Sequence, residues 1–151
     1  GKAAKQVVTY CIRNDIGTLI VGYNTTFQRS SDLGRQMNQV FVGIPFGILR
    51  RKLKYLCEMN GIRYVEQEES YTSMASFWDL DEMPVYGEAG LVPPVFSGRR
   101  ICRGLYQDRS GRRINADVNG ALNIMRKCNI VSLRALYDRG DVDTPVRIRI
   151  A

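Results

Sequence analysis

Residues 18–22, Thr-Leu-Ile-Val-Gly, form a short and nearly all-apolar run, the pattern of a strand covered on both faces. Downstream, Pro45 opens a helix whose Phe46, Leu49, Leu53, Leu56 and Cys57 share one face, with Arg50, Arg51, Lys52 and Lys54 largely off it. Asn60-Gly61 stops that helix, and residues 62–69 (Ile-Arg-Tyr-Val-Glu-Gln-Glu-Glu) read as a second strand. A strand–helix–strand order predicts a right-handed crossover and a parallel pair, since a right-twisted strand feeding a helix packs back onto its sheet in that hand. The chain therefore falls in the α/β class.

Ahead of this unit, Ala4, Val7, Val8, Cys11 and Ile12 form an apolar stripe on a helix over residues 2–14, ended by Asn14-Asp15 and Gly17. After it, a polar stretch from Asn24 to Asp32 leads to a short helix over residues 35–39. Residues 74–98 contain Pro84, Pro93, Pro94 and three glycines, and read as a long loop or insertion. Residues 100–107 and 112–116 flank Asp108-Arg109-Ser110-Gly111 as a hairpin. A further helix is expected from near Asp117 to about Lys127, with Val118, Ala121, Leu122 and Met125 inward. Residues 146–150 alternate as a strand does, and no internal repeat or low-complexity tract is present.

Charge is distributed unevenly. The chain has 22 basic and 15 acidic side chains, a formal +7; residues 1–95 hold 10 of each, so residues 96–151 carry the whole excess. A basic segment beside a neutral one points to a polyanion such as nucleic acid, with a plain solvated surface as the lesser alternative. No apolar run approaches the ~18 residues of a membrane span, and no signal peptide opens the chain. Its first residue is Gly rather than Met, so it reads as part of something longer. Histidine is absent, and Cys11, Cys57, Cys102 and Cys128 are scattered with no Cys-x-x-Cys pair. That argues against a Cys/His zinc site and against histidine acid–base chemistry, and fits reduced thiols in a cytosolic setting.

The acidic residues carry the chemical information. Glu68 and Glu69 end a parallel strand, the sheet edge where α/β sites gather. Asp117 stands where a helix begins, followed by Asn119 and the small pair Gly120-Ala121, which would let the first turn press onto a sheet. Carboxylates meeting from a strand end and a helix start are what two magnesium ions need for phosphodiester hydrolysis, and histidine is not required. The plainer alternatives are a helix cap at Asp117 and a solvated edge at the glutamates.

At this point a set of short blocks, in order, carries a resemblance. Gly22-Tyr23-Asn24, Asn38-Gln39-Val40-Phe41, Ile44-Pro45-Phe46, Gln67-Glu68-Glu69-Ser70-Tyr71-Thr72-Ser73, Ser97-Gly98-Arg99-Arg100, Arg103-Gly104-Leu105-Tyr106 and residues 114–121 (Ile-Asn-Ala-Asp-Val-Asn-Gly-Ala) resemble the C-terminal part of the TnpB (OrfB) proteins of bacterial insertion sequences, relatives of the type V CRISPR effectors. The resemblance implies a transposon-associated, RNA-guided DNA endonuclease with a RuvC-type, RNase H-like fold. It further implies Mg²⁺ or Mn²⁺, DNA and a guide RNA as partners, no membrane, and a cytoplasmic, nucleoid-associated location. On it, residues 1–127 are the C-terminal part of a RuvC-like domain, 74–98 an inserted loop and 128–151 a C-terminal extension. Asp117 matches the aspartate of the third RuvC motif.

Three departures from the family pattern matter. The first catalytic aspartate belongs upstream of this chain, and Asp32-Leu33-Gly34 is an accidental mimic; catalysis by these 151 residues alone is not expected. The second-motif glutamate would fall near Gly22, where no carboxylate stands. A carboxylate reaching from the next strand, about 4.8 Å away, would fill much the same space. Alternation admits only one of Glu68 and Glu69, with Glu69 preferred. The zinc ribbon that many members insert after Thr72-Ser73 lacks its cysteines, so no zinc is expected and 74–98 must be organised otherwise. Arg99, Arg100, Arg103, Arg109, Arg112 and Arg113 crowd the hairpin before Asp117 as a phosphate-tracking surface, while Tyr106 and Trp78 read as packing residues rather than base platforms. The competing classes are a non-catalytic nucleic-acid-binding module and a decayed transposase remnant.

Overall fold

A computed structural model describes residues 1–24, 40–41, 44–88, 90 and 92–142. The expected helix at 35–39, the Asp32-Leu33-Gly34 mimic and the terminal strand at 146–150 lie outside the described residues. The elements are α1 (Lys2–Arg13), β1 (Thr18–Tyr23), β2 (Val40–Phe41), β3 (Ile44–Pro45), α2 (Phe46–Met59), β4 (Arg63–Glu68), β5 (Arg99–Cys102), β6 (Leu105–Gln107), β7 (Arg113–Asn115), α3 (Ala116–Cys128) and α4 (Arg134–Arg139). They fall into two compact units whose boundary lies within β1 and β4. The first comprises 1–21 and the described residues up to 66; the second comprises 22–24 and the described residues from 67 on.

The fold is mixed α/β, and β1 and β4 pair as the sequence predicts. The Arg63 N–H donates to the Gly17 carbonyl and the Glu69 N–H to the Tyr23 carbonyl, both at 2.9 Å. An advance of six residues on one strand matches six on the other, so the strands run parallel. Between them, β2 and β3 form a two-stranded antiparallel ladder with Val40 opposite Pro45 and Phe41 opposite Ile44. Pro45 thus closes that ladder, and α2 begins one residue later.

In the first unit, Ala4, Val8 and Cys11 of α1 pack with Leu53 and Cys57 of α2 and with Ile62, joined by Leu19, Val21, Leu49, Leu56 and Tyr64. The apolar face of α2 is as expected. That of α1 is narrower: Val7 and Ile12 are exposed, and Ala3 is buried in their place. Small side chains at Ala3 and Ala4 let the helix pack closely, which leaves the bulkier neighbours at the edge of the contact. All four cysteines are free thiols, with Cys11 and Cys57 buried.

In the second unit, β5, β6 and β7 form one antiparallel sheet in that order. The expected hairpin is its β6–β7 half. The other half turns through Arg103-Gly104, with Gly104 at φ +83°, and the register slips by a bulge between Arg100 and Cys102. Tyr106 and Ile114 are buried on one face with Ala116, against Trp78, Val118 and Leu122. Among the described residues, 74–98 hold no helix or strand, yet the segment is well organised. The Asp81 carboxylate accepts the N–H groups of Ser76 (2.8 Å) and Ser97 (2.9 Å) and the Ser97 hydroxyl (2.6 Å), drawing the two ends of the segment together.

Leu53 is 5% exposed at the centre of the α1–α2 contact. Leu53→Ala should cost about 2–5 kcal/mol of stability, read as a lower urea midpoint.

Candidate functional site

β4 ends in Glu68, and strand alternation sends its side chain and that of Glu69 to different surroundings. Glu68 is buried. Lys127, on the last turn of α3, donates to both of its oxygens at 2.8 Å and to the Ser70 carbonyl at 3.0 Å, which satisfies all three ammonium protons. The Ser70 N–H makes a further short hydrogen bond to Glu68 Oε1. Burial raises the Glu68 pKa, but the Lys127 and Ser70 hydrogen bonds outweigh it and hold the carboxyl below its ordinary value. Glu68 is thus occupied inside the fold.

Glu69 lies against Gly22. A Cβ on Gly22 would sit 2.5 Å from Glu69 Oε2, 3.3 Å from Glu69 Cβ and 2.7 Å from Ile124 Cδ1, so only glycine leaves room. The reason is space, not backbone conformation: Gly22 is absent from the positive-φ glycines among the described residues. Burial, and then the Glu68 charge, push the Glu69 carboxyl above its ordinary value. Among the described residues its carboxylate has no hydrogen-bond or ion-pair partner.

Immediately after Glu69 the chain turns sharply. Thr72 N–H and Oγ1 both bond the Glu69 carbonyl, at 3.2 and 2.9 Å, and Tyr71 takes φ +63°, an uncommon conformation for a bulky residue. Two asparagines of α3 hold this strap. Asn119 accepts the Phe77 N–H at 3.0 Å and donates to the Ala75 carbonyl at 2.8 Å. Asn123 donates to the carbonyls of Thr72 (3.0 Å) and Ala75 (2.8 Å). Both are fully buried.

Asp117 stands in the first turn of α3 and is exposed. It is not the cap: Asn115 is, accepting the N–H groups of Asp117 (2.9 Å) and Val118 (3.1 Å). The carboxylate of Asp117 is thereby left over from capping, at the helix end that favours negative charge. The expected role of Gly120-Ala121 is corrected. A Cβ on Gly120 would meet only the Thr72 carbonyl, at 3.9 Å, and Ala121 is exposed rather than inward. Ala116, Asn119 and Asn123 form the buried face instead. Among the described residues no three Asp, Glu, Cys or His groups gather at one metal position.

The six arginines separate into two groups. Arg99 and Arg113 flank Gln107 in a row across the β5–β6–β7 sheet, and Arg100 and Arg103 are exposed nearby. Arg109 and Arg112 are exposed too, but their side chains are tied to groups of the fold. Arg109 bonds the Ser97 hydroxyl at 2.8 Å; Arg112 bonds Asp108 at 3.1 Å and the Gly140 carbonyl at 3.2 Å and lies 4.5 Å over the Trp78 ring. Tyr106 is buried and donates to the Met74 carbonyl at 2.7 Å. Burial and the nearby Asp81 and Asp79 carboxylates push its phenol up to about 12, so it stays a neutral donor.

The model of the family described as Cas12f1-like, TNB domain matches residues 46–124, more than half of the chain. The chain belongs to the Cas12f1-like TNB family. No curated protein matches it. In this TNB-family chain the match runs from the start of α2 to within α3, taking in Glu68, Glu69, Asp117 and the arginine-bearing sheet. No helix among the described residues is long and apolar enough to cross a membrane. Sequence reasoning missed Lys127, Asn119 and Asn123. The signal was present in the i, i+4 spacing of the two asparagines on the inward side of a helix, where polar residues need buried partners.

Two measurements check these environments. The folded chain holds the Glu69 proton more tightly than the unfolded chain does, so stability falls as pH rises through the raised value. Glu69→Gln should therefore unfold at higher urea than the parent at pH 7, with the gain vanishing below pH about 4. Lys127→Met leaves Glu68 buried and unpaired and should cost about 3–5 kcal/mol at pH 7. Because the Glu68 pKa is lowered, that deficit should shrink as pH falls through the lowered value.

Proposed function

We propose that this chain is the C-terminal RuvC-type portion of a TnpB-like, RNA-guided DNA endonuclease, with Glu69 and Asp117 as its metal-binding carboxylates. The observation that carries the reading is Glu69 in the space that a side chain at Gly22 would fill. In the TnpB pattern a glutamate belongs on that strand; here the strand is emptied and its neighbour supplies the carboxylate. A half-buried carboxylate with no hydrogen-bond or ion-pair partner among the described residues is suited to a cation. Asp117, freed from capping by Asn115, is the second ligand. Asn119 and Asn123 support the pairing, since they tie the strap that follows Glu69 to the helix that bears Asp117.

Two oxygen-donor side chains from separate elements suit Mg²⁺ or Mn²⁺, and the free, scattered cysteines do not suit zinc. Ions held there would supply Lewis-acid activation of water and stabilisation of the leaving oxygen. The chain's own residues position and exclude. Glu68 stays out of the site because Lys127 and Ser70 occupy it, and Ile124 walls the Gly22 side of Glu69. Arg99, Arg100, Arg103 and Arg113 are the residues best placed to meet the phosphates of DNA or guide RNA; Arg109 and Arg112 are tied to Ser97 and to Asp108 and Trp78. Such a protein works in the cytoplasm beside the nucleoid.

The test is thermal unfolding with increasing Mn²⁺. A site saturated to 100 times its Kd should add about 2.7 kcal/mol of stability. Asp117→Ala, Glu69→Gln and Gly22→Ala should each abolish that increment, the last by evicting Glu69. An increment that is absent from the parent, or that persists in all three variants, leaves the alternative of a non-catalytic nucleic-acid-binding module.

A further inference from the structure

Asn119, Asn123 and Lys127 stand four residues apart on α3, one stripe along the helix that also bears Asp117. The two asparagines hold the strap between Thr72 and Phe77. Lys127 instead holds the chain on both sides of Glu69. Its ammonium reaches back to the Glu68 carboxylate, with each oxygen at 2.8 Å, and forward to the Ser70 carbonyl at 3.0 Å. The Ser70 N–H closes the clip on Glu68 Oε1. The peptide groups of Glu69 are taken as well. Its N–H donates to the Tyr23 carbonyl at 2.9 Å, and its carbonyl accepts the Thr72 N–H at 3.2 Å and the Thr72 hydroxyl at 2.9 Å.

Stability does not by itself account for an ion pair here. The Lys127 and Glu68 side chains are 9% and 10% exposed. Desolvating two charges offsets most of their attraction, and apolar residues of similar volume commonly stabilise a fold as well or better. What charges add is direction, because three N–H bonds from one nitrogen meet three fixed acceptors. With residues 68 and 70 fixed, the Cα–Cβ bond of Glu69 has one direction, and the side chain lies against the notch at Gly22. We propose that Lys127 is a positioning residue for the ion site: by clipping Glu68 to Ser70 it aims the Glu69 carboxylate, without being a ligand itself. This role rests on the reading of Glu69 and Asp117 as the metal-binding carboxylates. Ten residues of α3, about 15 Å of helix, separate Lys127 from Asp117, so Lys127 acts on the ion through Glu69.

The experiment measures Mn²⁺ affinity by titration calorimetry, and the urea midpoint, on the 151-residue chain and three variants. Glu68→Leu combined with Lys127→Met replaces the pair by apolar side chains and leaves the net charge unchanged. It should unfold close to the parent's midpoint, yet bind Mn²⁺ about tenfold more weakly. Lys127→Met alone removes a cation from the neighbourhood, which through charge would tighten Mn²⁺ binding; lost positioning weakens it instead. Leu53→Ala, destabilised at the α1–α2 contact, should bind Mn²⁺ as the parent does. Without metal, the Glu69 and Thr72 amides of the double variant should exchange with solvent faster than those of the parent. The proposal is overturned if the double variant binds Mn²⁺ as tightly as the parent, if Lys127→Met binds it more tightly, or if Leu53→Ala loses the same factor. A parent that binds no Mn²⁺ overturns the metal reading and this role with it, whereas a parent and a double variant that bind equally overturn this role alone.

Discussion

A single absent carbon organises the candidate site. With any side chain at residue 22, the Glu69 carboxylate would have to leave its place, because a Cβ there would stand 2.5 Å from Oε2. Glycine in the middle of a strand is ordinarily a loss, since it adds no packing and more unfolded-state entropy. Here it creates the notch into which the neighbouring strand delivers a carboxylate. The parallel pairing makes delivery possible: the hydrogen bond from Glu69 N–H to the Tyr23 carbonyl sets the two strand ends in register. The turn at Thr72 and its contact with Asn123 hold the chain just beyond Glu69.

The strap after Glu69 is built from polar contacts rather than a hydrophobic layer. Asn119 and Asn123 bind its backbone from one side, and Asp81 draws Ser76 and Ser97 together further along. Carboxylates and amides of the chain itself close this loop. Asp79 adds to this by accepting the Ser76 hydroxyl at 2.7 Å and the Arg109 N–H at 2.9 Å. Such networks hold geometry tightly when every member is satisfied. The strap also carries Phe77, on which Tyr137 of α4 stacks, so the segment beyond α3 is anchored to the same piece of chain.

Glu68 and Glu69 show how adjacent, chemically identical side chains acquire opposite roles. The first meets an ammonium group and a backbone N–H and is held ionised within the fold. The second meets apolar surface and its neighbour's charge and is held toward its neutral form. Paired environments that push two carboxyl groups apart in this way are a recurring sign of divided labour. The arginines divide similarly. Arg112 stacks on Trp78 and bonds Asp108, whereas Arg99 and Arg113 face outward from the sheet.

Local pattern determined much of this chain. The apolar run at 18–22, the Pro45 helix start and the Asn60-Gly61 stop each act over a few residues, so the parallel pair, α2 and the β6–β7 hairpin were legible without coordinates. Period-two alternation also separates Glu68 from Glu69, but it does not say which of the two meets Gly22. Tertiary structure decided what depends on partners far along the chain. Lys127 claims Glu68 across 59 residues, and Asn123 reaches Thr72 across 51. It also decided which arginines are tied to other groups of the fold and which helix positions are buried. Periodicity registers that a face turns inward; it carries no information about which distant donor or acceptor will meet it there, because that is set by how the whole chain packs.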